Sequence, residues 1–147
     1  HPAFLEDQLE TSLTNIGIET LDLYYLHNAA EGQMPLIGHD KFMDKLAVEG
    51  IDTFSNEIET FEFCEKKVQQ NKIKSYGLAT WICFRAKPEE QNIYLKIQEV
   101  VELAKKVGGQ NHNFKYIQLP VNLAMPEAFA EKWQQYNDNG KIYTENV

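Results

Sequence analysis

Three hydrogen-bonding side chains stand where strand-like runs end. Leu21-Asp22-Leu23-Tyr24-Tyr25-Leu26 is long and apolar enough for one buried strand, and it stops at His27-Asn28. Ile73 to Ala79 is a second such run, leading into Thr80-Trp81, and Phe114 to Leu119 is a third, carrying Gln118 and stopped by Pro120. An imidazole, a hydroxyl and a carboxamide orient a polar ligand by hydrogen bonds. If the three strands are parallel, all three groups lie at the carboxyl-end face, where α/β folds carry their chemistry. Other chemistry finds less support. His1, His27, His39 and His112 have no metal-ligand spacing, so no metal site is expected, and Cys64 and Cys83 read as reduced thiols. The acidic stretch Glu57, Glu59, Glu62 and Glu65 reads as a solvated helix face, with no carboxylate pair for acid–base work.

The elements that must position these groups follow from spacing and breakers. Pro2 opens a helix in which Leu5, Leu9, Leu13 and Ile16 form a stripe, and Gly17 breaks it. Asn28 to Asp40, with Gly32, Pro35 and Gly38, reads as a loop over the first strand's carboxyl end, and Lys41 to Ala47 as a short helix. Val48 to Asn56 reads as an irregular insertion. Ile58, Phe61, Cys64 and Val68 share one face of a helix that ends near Asn71. Gly77 inside the second strand points to a close approach by a backbone or a ligand. Pro88 fits the start of a long helix with Ile93, Ile97, Val100, Val101, Ala104 and Val107 on its stripe, closed by Gly108-Gly109. A last helix is expected from Pro126, with Phe129, Trp133 and Tyr136 spaced four and three apart and Asn137 to Gly140 at its end.

Helices alternating with strands imply parallel strands joined by helical crossovers, an α/β fold. The units alone do not choose between an open sheet and a barrel. The chain has 147 residues, 43% of them hydrophobic, which suits a globular domain. Its net charge of −8 argues against nucleic acid or an anionic membrane surface as the main partner. No apolar run reaches the roughly 20 residues of a membrane span, and the first residues lack signal-peptide character. The expectation is a cytoplasmic protein without a membrane span.

Three stretches, in order, resemble the aldo-keto reductase family. Leu9 to Leu13 with Ile18 to Asn28 is similar to the helix and strand that end in that family's active-site histidine. Asn71 to Gly77 resembles its "GKI…GVS" strand, and Tyr116 to Asn122 its "Q-x-P-Y-N" strand. The likeness covers residues 4–128, with 48–60 unmatched. It implies a partial (β/α)8 TIM barrel, about strands four to six, within a single partial domain over residues 1–147, where a whole barrel takes about 250 residues. It further implies NADP-dependent reduction of a small carbonyl substrate. His27 would then be catalytic, hydrogen-bonding the carbonyl oxygen, while Ala79, Thr80 and Gln118 would hold the nicotinamide carboxamide. Gly77-Leu78-Ala79-Thr80-Trp81 looks like a variant found in one branch of the family, with Ala79 in place of a serine. The family's aspartate, tyrosine and lysine have no counterpart in the chain. Two functions follow: part of an oxidoreductase whose other strands lie on another chain or in a missing barrel half, or a non-catalytic interaction module within a larger assembly.

Overall fold

A computed structural model describes residues 2–46 and 60–147, so the insertion expected at 48–60 lies outside the described residues except for Thr60. Helix α1 (Pro2–Ile16) ends at Gly17, whose φ of 76° supplies the left-handed turn that glycine adopts without a Cβ penalty. Leu9 and Leu13 of its stripe are fully buried, while Ile16 is exposed. The strands are β1 (Tyr24–His27), β2 (Tyr76–Ala79) and β3 (Phe114–Gln118), parallel and adjacent in the order β1-β2-β3. They fall inside the three apolar runs. Each is shorter than its run, and only a single bridge, Leu21 to Ile73, pairs the residues upstream of β1 and β2.

Register divides the sheet's side chains into two sets. Tyr24, Tyr76 and Phe114 form one row and Leu26, Leu78 and Ile117 another, all toward the helices. There Phe61 of α4 (Thr60–Gln69) packs on Tyr76 and Phe114, with ring centroids 5.2 and 5.3 Å away. The helices α1, α2 (Ala29–Ile37), α3 (His39–Leu46), α4 and α5 (Ile97–Gly108) all add residues to this one core. The described part is a mixed α/β fold with a three-stranded parallel sheet. No closed barrel is present among the described residues.

Three expectations about the connections are corrected. The loop expected over 28–40 is mostly helix: Ala30 and Met34, one turn apart, are buried, and this burial outweighs Gly32 and Pro35. The long helix expected from Pro88 begins only at Ile97. Residues 88–96 form turns and irregular chain, and Leu95 finds tertiary partners for its backbone instead of helical ones: its N donates to Cys83 O at 3.0 Å, and its O accepts from Gln134 Nε2 at 3.1 Å. The closing helix is cut to α6 (Glu127–Ala130), after which β4 (Gln134–Asp138) and β5 (Lys141–Glu145) form an antiparallel hairpin. Asn139 and Gly140 both have positive φ, 51° and 84°, the paired conformation of a tight hairpin turn. Asn-Gly was therefore a turn signal, and Tyr136 stacks across the hairpin on Tyr143 at 5.2 Å.

Candidate functional site

The second face of the sheet carries two rows of its own. Tyr25, Gly77 and Tyr116 pair across the three strands, and beyond them, at the carboxyl ends, so do His27, Ala79 and Gln118. His27 and Gln118 are exposed, and Tyr116 is half exposed at 49%. The ladder continues just past the strands: Asn28 N donates to Ala79 O and Thr80 N to Gln118 O, each at 2.8 Å. This end of the sheet is pinned from both sides of β2. Asn28 then takes a left-handed conformation, φ 52°, and turns the chain directly into α2.

Gly77 shows why the middle row is narrow. The register shifts between Tyr76 and Gly77, leaving Lys115 unpaired as the extra residue of a bulge. The Tyr116 carbonyl oxygen consequently lies 2.2 Å from where a Gly77 Cβ would be, and Tyr25 Cε1 lies 2.9 Å from it. Any side chain at 77 would collide with backbone. The close approach expected at Gly77 is thus made by its neighbouring strand.

Of the four residues that the family likeness assigns, the register brings His27, Ala79 and Gln118 into one row. Thr80 follows immediately but stands apart from them in exposure. It is 5% exposed, and its hydroxyl is buried without a hydrogen-bond partner among the described residues. Ala79 carries only a methyl group and is itself 3% exposed. The polar groups presented to solvent are therefore the His27 imidazole and the Gln118 carboxamide.

Other titratable groups lie away from this row. Glu65 is buried on α4, contrary to the expectation of a solvated acidic face, while Glu62 is exposed and Glu57 and Glu59 lie outside the described residues. Its carboxylate accepts from the Tyr76 hydroxyl at 2.9 Å, the Asn113 backbone amide at 2.7 Å and the Asn113 side-chain amide at 2.8 Å. Burial first, and the Glu65 charge next, push the Tyr76 phenol well above its usual range. The acid therefore ties helix to sheet at the amino end of β2, where it has no access to His27. Cys64 and Cys83 are free and buried, and burial raises both thiols, so neither is an activated nucleophile.

Past the carboxyl ends of the strands stand groups that spacing alone did not single out. Glu31, Arg85 and Glu127 come from the segments that follow β1, β2 and β3; Glu31 and Arg85 hydrogen-bond the main chain of Trp81, and Glu127 holds Arg85. Alternation along β3 would have found Tyr116, since it precedes Gln118 by two. No signal in the sequence brings both Glu31 and Arg85 to the Trp81 main chain, because the sheet alone brings α2 beside the segment after β2.

Among the described residues no helix is long and apolar enough to cross a membrane. Comparison with protein-family models, with curated proteins and with solved structures finds no match to the chain.

Proposed function

We propose that this chain carries the nicotinamide and carbonyl end of an aldo-keto reductase-like, NAD(P)H-dependent oxidoreductase site. The observation that supports it is the row itself, with His27, Ala79 and Gln118 side by side at the carboxyl ends of consecutive parallel strands. The resemblance places its histidine, carboxamide contacts and glutamine at these positions. In this reading His27 hydrogen-bonds the substrate carbonyl oxygen, and Gln118 binds the carboxamide of the nicotinamide. Ala79 and Thr80 occupy the other carboxamide positions, and Thr80, its hydroxyl buried and its N–H donated to Gln118 O, has its backbone carbonyl left to offer. The cofactor, when bound, supplies the hydride.

The residues fit one end of that cofactor. His27, Ala79 and Gln118 include no fixed cation for a phosphate, and one or two neutral hydrogen bonds are worth about 1–3 kcal/mol. A dissociation constant of about 1 mM already requires about 4 kcal/mol. This chain alone should therefore bind NADPH more weakly than about 1 mM, and the remaining contacts, with the proton donor, come from further strands on another chain or in the rest of a barrel. A backbone amide titration tests the reading. Addition of NADPH to about 10 mM should shift Leu26 to Asn28, Ala79 to Trp81 and Gln118, and Gln118→Ala should weaken the response. Shifts confined to other surfaces, or none, would overturn it.

A second reading, a non-catalytic interaction module, draws on Leu123 and Phe129. These follow β3 and are 102% and 72% exposed, apolar side chains that a partner would cover in this reading. It predicts a silent His27 row in the same titration.

A further inference from the structure

We propose that Glu31, Arg85 and Glu127 act together as a clamp that positions Trp81 as a fixed wall beside the His27, Ala79 and Gln118 row. The proposal rests on the function proposed above for that row, and on the way the Trp81 main chain is held. Glu31, in the first turn of α2, accepts hydrogen bonds on Oε1 from the backbone amides of both Trp81 and Ile82. On the other side of the same residue, Arg85 Nε donates to the Trp81 carbonyl at 2.8 Å. Arg85 is itself anchored: its Nη1 donates to Glu127 Oε2 at 2.8 Å, and its Nη2 contacts Met125 Sδ at 3.3 Å. Its side chain is 7% exposed, so a guanidinium is desolvated here to make these bonds.

The three clamp residues come from three different carboxyl-end segments, and what they hold is a tryptophan that is 58% exposed. A tryptophan kept for core packing would be buried, since its ring is among the largest apolar surfaces a residue can hide. Here the main chain is restrained from both sides while the ring faces solvent, two residues past Ala79. Such a ring suits a flat, apolar ligand face arriving at the row, and restraint lowers the entropy lost when it binds.

The test uses the full chain in a Trp133→Phe background, so that Trp81 is the single indole. Without ligand, Arg85→Ala and Glu31→Ala should raise acrylamide quenching of Trp81 by about twofold, with far-ultraviolet dichroism unchanged. Val100→Ala, a core truncation elsewhere, should not, which separates positioning from general loss of stability. If Arg85→Ala fails to fold, Glu127→Ala gives the same reading, because that carboxylate is only partly buried. An indole equally restrained in the folded clamp variants would overturn the clamp. Titration with NADPH should move the Trp81 indole N–H resonance together with His27 and Gln118. Movement of those two with a still indole would overturn the wall and leave the proposed function standing. A loosened indole in the clamp variants, with no response at His27 or Gln118, would sink the proposed function and leave the clamp standing.

Discussion

The two faces of one three-stranded sheet are built to different ends. On the covered face, Tyr76 and Leu78 are essentially inaccessible, Phe61 packs against Tyr76 and Phe114, and the buried Glu65 carboxylate has three donors. On the opposite face, one residue along each strand, His27 and Gln118 stand in solvent above a row narrowed by Gly77. The same backbone serves both, because side chains alternate with period two. The lesson is that satisfied polar groups mark where the fold is held, and exposed ones in register mark where it could act.

Several substitutions would break or sharpen this contrast. Gly77→Ala should be the most damaging, costing about 3 kcal/mol in chemical denaturation, because the new methyl meets the Tyr116 carbonyl and backbone must move. An equally stable variant would mean that the bulge in β3 is not as tight as described. Glu65→Ala should cost about 2–3 kcal/mol by stranding the Tyr76 hydroxyl and the Asn113 amides, whereas Tyr76→Phe should cost only about 1 kcal/mol because the carboxylate keeps its other two donors.

A pH effect comes next. His112 is buried, and burial first, then Lys115, lower its pKa below the usual 6.5, with Glu65 and a hydrogen bond to the Phe114 backbone opposing them. The unfolded chain then takes up a proton that the folded one resists. Stability should therefore fall as the pH drops through about 6.5, and His112→Gln should flatten that part of the curve. A histidine-independent slope would place the sensitivity elsewhere. Smallest of all, His27→Ala and Gln118→Ala should each change stability by less than about 0.5 kcal/mol, since both side chains are exposed. A loss of about 2 kcal/mol at either would mean that the row is structural, and would remove the contrast between the faces.

Much of the frame was legible in the chain, and the failures share one cause. The cores of the three strand runs, Leu9 and Leu13 of the α1 stripe and the breaks at Gly17 and Gly109 depend on neighbours in sequence, and they stand where local pattern puts them, although the strands are shorter than their runs and Ile16 is exposed. The segment 28–40 failed because Gly32 and Pro35 argue locally for a loop, while Ala30 and Met34 gain more by packing into the core as a helix. The four-and-three spacing of Phe129, Trp133 and Tyr136 failed for the opposite reason: hairpin pairing takes Tyr136, and Asn139-Gly140 had announced the turn.

The sequence by itself determined that three short apolar runs, cut off by His27, Thr80 and Pro120, would form strands between helices. Composition and period suffice for this because local burial and breaker chemistry act within one or two turns of chain. Only the tertiary structure decided that His27 pairs with Ala79 rather than with Thr80 across β2, and that Glu65 turns inward. It also decided that Glu31 and Arg85 converge on Trp81, with Glu127 holding Arg85. Register is set by which side chains the core can hide, and a slip of one residue would exchange the two faces.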